Sequence, residues 1–578
     1  MKRFVALTLC AVMALSALAS CAFDPDDRGA IIPVYLTEAE ANLDPSALIY
    51  DKDVFKYTTL LFEGLTVVNE DGSVSGGLAE KWTTDFNDER GEYFIEFTLK
   101  DSHWSDGRAL LADHFVYAWK RLLSPASASP AACLLYDIKN AAKVKSGEMT
   151  PDSLGVSAPN RFTLRVELEK KIDLDLFLET VASPALVPLR YDVVGDFADS
   201  WATSTENFLS CGQFSLSAMT KEEYSLDKSS NYLLSLDPGE NQNPNTYVKP
   251  AKLHIDYTNS RVQNWNEYVA DELYYVDVDN IPEGAESLEG DIRRDDLLAT
   301  ATLFLDNENE LLSDKAVRQA MSLALDREAL AAAFGYAASP ATGFVANGVF
   351  DSSNGSSFRK NGGDLLATTA DVEAAKALLK GKNLSQELTL TVRAKYQTVA
   401  EKLAQAWKSI GLNVTVSASS EKIYNNILKA QTFDILLLDY QSLSSTAYSF
   451  LMPFATKFSG NYIDVDGEFT NPHMTGFDNK AYNELADAVH AATNRAERTK
   501  LLHEMETLLL DEMPVIPIAF WSNCYLSSGQ LSGISKTGFG TVSFRDASIP
   551  NYLEKNEAWL AEREAMEEQK KEEETAGE

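Results

Sequence analysis

An α/β fold divided into several domains is predicted by three features of this sequence. At 578 residues the chain is too long for a single hydrophobic core. Its apolar share of 45% is that of a globular protein. Helix-patterned and strand-patterned segments follow one another along it, most clearly where Leu403–Ile410 reads as a helix, Gly411 as its C-cap and Leu412–Val416 as a strand.

The elements support this in order. Met1-Lys2-Arg3 carries two positive charges, and the run from Phe4 to Ala19 is nearly all apolar. With small residues at its end this is the pattern of a secretory signal peptide over 1–20. It falls short of the roughly 20 residues that span a bilayer. Leu18-Ala19-Ser20-Cys21 resembles a bacterial lipobox, which implies cleavage before Cys21 and a lipid on its sulfur. Acyl chains hold a protein on a membrane by about 0.8 kcal/mol per buried CH2. Residues 21–29, with three aspartates and the turn formers Pro25 and Gly29, are then expected to form a polar, turn-prone tether.

Ile31–Leu36 reads as a strand, and Phe94–Lys100 alternates as a strand does. Asp106-Gly107 marks a turn in which glycine takes positive φ. Asp113 is expected to N-cap a helix whose apolar face holds Phe115, Val116 and Trp119, with Trp104 and Trp119 packed in the core. Val317, Ala320, Met321 and Ala324 fall at helical spacing, and Leu388–Val392 reads as a strand. Beyond Asn551 the dense Glu and Lys read as a frayed helix or a solvated acidic tail.

Several classes of function are disfavoured. A net charge of −35 argues against nucleic acid as a partner. The six histidines are scattered without i, i+3 or i, i+4 spacing, so no metal site is expected. Cys10 leaves with the signal and Cys21 takes the lipid, so Cys133, Cys211 and Cys524 allow at most one disulfide. None stands in a Cys-x-x-Cys pair. There is no Gly-x-Ser-x-Gly elbow, phosphate loop or His-Glu-x-x-His, so catalysis is not expected and peptide hydrolysis is the rival class.

Five motifs then follow in series: Leu43-Asp44-Pro45, Leu61-Phe62-Glu63-Gly64-Leu65, Leu78-Ala79-Glu80-Lys81-Trp82, Trp104-Ser105-Asp106-Gly107 and Asp113-His114-Phe115-Val116-Tyr117-Ala118-Trp119. In order and spacing they resemble the oligopeptide- and dipeptide-binding proteins of ABC importers. Leu323-Ala324-Leu325-Asp326-Arg327-Glu328 and Pro514-Val515-Ile516-Pro517-Ile518 extend the resemblance, which covers roughly residues 30 to 550. It implies a two-lobed periplasmic-binding-protein-like fold with a ligand cleft between the lobes and an additional domain on the first. The first lobe is expected at 30–60, 186–303 and 519–550, the additional domain at 61–185 and the second lobe at 304–518, followed by the tail at 551–578. It also implies a monomer without cofactor that hands a peptide to ABC permease subunits. Members of the family also bind haem, nickel complexes or oligosaccharides.

In members that bind free N-termini, an aspartate within Gly-Trp-x-x-Asp-Tyr pairs with the ammonium. This chain departs there. Aligning Phe433-Asp434 and Phe450-Leu451 without gaps puts Tyr440 at the tryptophan and Leu443 at the aspartate, with Ser442 and Ser444 beside it. A gapped alignment makes Asp439 the aspartate instead. Leucine cannot pair with an ammonium, so in the ungapped frame acetylated peptides are expected to bind as well as free ones. A preference for the free amine would then point elsewhere, first to Asp279 beside Asn280.

Overall fold

The computed structural model describes residues 29–38, 42–47, 52–127, 129–197, 200–229, 232, 248–279, 281, 286–350, 356–459 and 474–577. The predicted Cys21 anchor and Asn280 lie outside them.

A curled mixed sheet of 11 strands runs through both lobes. Its centre is an antiparallel pair of long strands, Arg293–Leu305 and Val515–Ser527. On one side lie Tyr275–Asp277, Ile31–Tyr35, Lys252–Asp256, Glu223–Lys228 and Phe214–Met219, in that order outward. On the other lie Ile435–Gln441, Glu387–Arg393 and Asn413–Ser419, and the eleventh strand, Ala338–Pro340, pairs with Val515–Ser527 off this path. The central pair therefore crosses from one lobe to the other. Its register shifts between Asp296 and Thr300 and again between Ala301 and Thr302. Such irregularities bend a strand and increase its twist, which lets one sheet serve two lobes.

Within the lobes the strands pair partly in parallel. Ile31–Tyr35 is parallel to both its neighbours, and Glu387–Arg393 is parallel to both of its own. Parallel strands place their carboxyl ends together, where α/β sheets bind ligands.

Residues 79–167 contain a separate four-stranded antiparallel sheet, Ala79–Asn87, Glu92–Leu99, Thr163–Glu167 and Val156–Asn160 in spatial order. Helix Ala112–Leu122 buries Phe115 and Trp119, and the Trp119 indole donates to Leu186 O at 2.9 Å. Trp104 is also buried. Gly107 takes φ +83° in the expected turn. The cap differs from expectation: Leu111 is the N-cap and Asp113 sits inside the first turn. The His114 imidazole replaces it, its Nδ1 accepting from Leu111 N at 3.0 Å and from the Trp104 indole at 3.1 Å. Asp113 still places a negative charge near the helix's positive end. Burial, then Arg190, pushes His114 down to about 4.

The C-terminal segment is more than a solvated tail. Tyr552–Gly577 is one helix, and its first turns are stitched to the start of the fold. The Asn556 side chain accepts from Ile31 N at 2.8 Å and donates to Gly29 O at 2.9 Å. Lys555 donates to Gln530 at 2.8 Å, and Trp559 meets His254 edge-on at 5.1 Å. Apolar spacing alone did not reveal this docking, because polar Asn556 makes the central contact.

Cys133, Cys211 and Cys524 are all buried and free. Burial raises all three thiols, to about 12, 12 and 11. Among the described residues no helix is long and apolar enough to cross a membrane.

Candidate functional site

Four strands from the two lobes end around one space. Beyond Ile31–Tyr35 come Thr37 and Glu38, and beyond Tyr275–Asp277 comes Asp279. Beyond Glu387–Arg393 come Ala394 and Lys395, and beyond Asn413–Ser419 come Ser420 and Glu421. Together with Lys52, Asp53, Arg261, Phe334, Tyr396 and Trp521 they enclose a pocket of about 510 Å³. A larger groove of about 820 Å³ lies between Asn361 and Asp511, but its walls all come from one lobe. Only a space lined from both lobes couples occupancy to their relative position.

The pocket wall carries four cations, Lys52, Arg261, Arg393 and Lys395, and four carboxylates, Glu38, Asp53, Asp279 and Glu421. Most of these charges already answer one another. Lys52 Nζ donates to Asp53 at 3.0 Å and stands 4.9 Å over the Trp521 ring. From the second lobe Lys395 reaches Asp53 at 3.5 Å. Burial by itself would raise the Asp53 carboxyl, but Lys52, Lys395 and Lys56 together hold it well below the usual range. Arg393 pairs with Glu421 at 3.0 Å and lies 4.5 Å over the Tyr424 ring.

Asp439 sits behind this wall, 2% exposed. Its Oδ2 accepts from the Tyr396 hydroxyl at 2.7 Å, and its Oδ1 accepts from the Trp521 indole at 2.9 Å. Arg393 is 3.7 Å away. Asp439 therefore fixes two aromatic walls of the pocket with both of its oxygens.

The other residues singled out in the sequence are divided by strand parity. Along Ile435–Gln441, Ile435 and Leu437 join one core and Leu436, Leu438 and Tyr440 the other. Asp439 falls on the pocket's side, whereas Tyr440 turns into a buried aromatic cluster. Its ring lies 5.1 Å from Phe344 and 5.7 Å from both Phe304 and Phe450. Leu443 is buried in the same core. Ser442 Oγ donates to Ser444 O at 2.5 Å and pairs with Ser449 Oγ. Tyr440, Ser442, Leu443 and Ser444 do not line the pocket, whereas Asp279 does. Lys52, Asp53, Arg393, Lys395, Tyr396 and Trp521 were not anticipated. Their available signal was position, since Arg393 to Lys395 and Ser420-Glu421 directly follow strand patterns.

The chain belongs to the bacterial extracellular solute-binding proteins of family 5, whose middle region, "Bacterial extracellular solute-binding proteins, family 5 Middle", matches residues 73–462. The dipeptide-binding protein DppE of Bacillus subtilis (strain 168) is 26% identical over 503 residues, covering 84% of this chain and 86% of DppE. The substrate-binding domain of an oligopeptide ABC transporter from Bacillus anthracis str. Ames superposes with a TM-score of 0.75 at 22% identity, over 90% of this chain and 99% of that one. The murein tripeptide-binding protein MppA of Escherichia coli superposes at 0.72 with 22% identity, over 90% and 98% of the two chains. The unliganded open form of MppA covers the same shares at 22% identity, but at 0.56.

Proposed function

We propose that this chain is a lipid-anchored extracytoplasmic receptor that captures a peptide between its lobes and delivers it to the permease subunits of an ABC importer. The observation that carries this reading is the charge-balanced pocket of about 510 Å³ walled from both lobes. A peptide with free termini is itself a zwitterion with an amide backbone, and such a wall offers partners to both ends. Closure around it would exclude water and strengthen each polar contact. DppE and the B. anthracis protein, named for a dipeptide and for oligopeptide transport, support the same ligand class. One chain supplies both walls, which supports capture by a monomer. The relatives are binding proteins by name, which supports capture rather than catalysis.

The central strands Arg293–Leu305 and Val515–Ser527 support the division into lobes at 30–60, 186–303 and 519–550 against 304–518. The separate sheet within 79–167 supports an additional domain at 61–185. The lipid is assigned to Cys21 on the Leu18-to-Cys21 sequence.

Native mass spectrometry of protein purified from its host tests the ligand class. Adducts with peptide masses are expected, and a stable non-peptide solute in their place would sink the reading. Cys21→Ser is expected to release the protein from membranes. A variant as membrane-bound as the wild type would refute the anchor.

A further inference from the structure

A second cavity, of about 610 Å³, lies where the C-terminal helix Tyr552–Gly577 crosses the first lobe. The end of strand Lys252–Asp256, the start of strand Glu223–Lys228 and helix Arg261–Val269 meet the C-terminal helix there. The wall carries six carboxylates, those of Glu222, Glu223, Asp256, Glu267, Glu272 and Glu562, against one permanent cation, Arg563. Arg563 is already paired with Glu223. His254 adds no positive charge at neutral pH, because burial pushes it down to about 4. Asp256 and Glu267 meet neutral donors only, Thr258 N at 2.7 Å and Asn259 Nδ2 at 2.8 Å. Glu272 and Glu562 have no hydrogen bond or ion pair among the described residues. Burial raises the Glu267 carboxyl, and Asp256, Glu272 and Glu562 raise it further against the Asn259 hydrogen bond. Like charges so crowded favour a cation among them.

An independent observation points the same way. Asn264, on helix Arg261–Val269, lines the cavity and is 3% exposed, yet its side-chain amide has no hydrogen bond among the described residues. A buried amide without a partner is costly, and few native side chains are left so. No three or more His, Cys, Asp or Glu side chains among the described residues are grouped to hold a metal ion. The carboxylates are spread around the wall, so a cation that answers them must spread its charge too. Ammonium groups joined by methylenes do this. The amines meet separate carboxylates and the Asn264 amide, and the methylenes lie along Leu273, Trp559 and Met566.

We propose that this cavity is a second binding site, separate from the pocket between the lobes, for a linear aliphatic oligoamine held by Asn264, Glu267, Glu272 and Glu562.

The test titrates full-length protein with spermine by calorimetry in about 0.15 M NaCl, where a screening length of about 8 Å suppresses diffuse attraction to the acidic chain. Saturable one-to-one binding is expected, several-fold tighter than that of the shorter diamine putrescine and not displaced by an equal concentration of magnesium ion. Glu272→Gln combined with Glu562→Gln removes two exposed charges and should weaken spermine binding about fivefold, the scale of two exposed ion pairs. Asn264→Leu should weaken it to a similar extent. Glu80→Gln combined with Glu89→Gln removes two exposed charges from the additional domain and should change it by less than about twofold. Heat that does not saturate, displacement by magnesium, unchanged affinity in the Glu272/Glu562 variant or an equal loss in both double variants would reduce the cavity to ordinary counter-ion attraction and overturn the site.

Discussion

The second lobe meets the rest of the molecule along two seams of opposite character. Against the first lobe lies the pocket, where charged groups remain at its wall. Against residues 130–180 the seam is closed by buried ion pairs. Arg498 pairs with Asp173, the two side chains 3% and 7% exposed, and Arg495 pairs with Glu179. Lys170 Nζ donates to His490 O at 3.0 Å, His490 Nδ1 stands 3.5 Å from Asp137, and the Tyr136 and Phe458 rings are 5.9 Å apart. The contrast separates two tasks. A pocket walled by charged groups is suited to reading a ligand, and a seam closed by buried ion pairs is suited to registering closure. The ion pairs join the second lobe to residues 130–180, so a movement that parted the two would forfeit their energy.

Arg498→Ala should give the largest effect, because it strands the buried Asp173, and losing one partner of a buried pair costs about 3–5 kcal/mol. If the seam parts in the free protein, calorimetry will show this as lost ligand affinity while the unliganded melting temperature moves little. An equal loss of unliganded stability with unchanged affinity would make the seam permanent and break the comparison. Arg359→Ala is the internal control. Arg359 donates to Glu506 at 2.9 Å, and Glu506 also accepts from Phe344 N and Val345 N at 2.9 Å, all within the second lobe. Its cost, again about 3–5 kcal/mol, should appear in urea unfolding of the free protein.

Asp439→Asn keeps the shape but weakens the acceptor for Tyr396 and Trp521. A loss of about 1–2 kcal/mol is expected, read in stability and in affinity for free and acetylated peptides alike. The smallest effect is on pH. Burial lowers His490, so it contributes stability above its ordinary value near 6.5 that is lost as pH falls through it. Burial raises Asp137, so its protonation acts in the opposite direction at more acid pH. If the seam forms on closure, affinity should therefore fall modestly as pH drops below the ordinary histidine value near 6.5, and His490→Gln should flatten the fall. An unchanged profile in that variant would remove His490 from the seam's energetics.

The family and the placing of most elements were legible because their signals are local. Asp106-Gly107, the Val317-to-Ala324 spacing and the Leu403-to-Val416 succession each appear where expected. Which face of Ile435–Gln441 meets the pocket was not legible. Every residue of that strand is buried, so no polar alternation marks its two sides, and a fixed alignment frame still leaves parity to the sheet around it. Asp279 was picked out in the sequence but without its surroundings. Its surroundings, Tyr35, Lys52 and Asp53 on one side and Lys395 on the other, lie far from it in sequence and meet it only in the fold.

The clasp made by Asn556 also has a mechanical meaning. The chain enters the fold at Gly29 and passes at once into Ile31–Tyr35, an interior strand with parallel neighbours on both sides. Asn556 ties Gly29 and Ile31 to the C-terminal helix at that point of entry. A pull along the N-terminal segment must shear two ladders together and tear out the helix's stitch, rather than peel an edge strand one bond at a time. The described N-terminal end is thus sewn into the interior of the sheet and not laid along its edge.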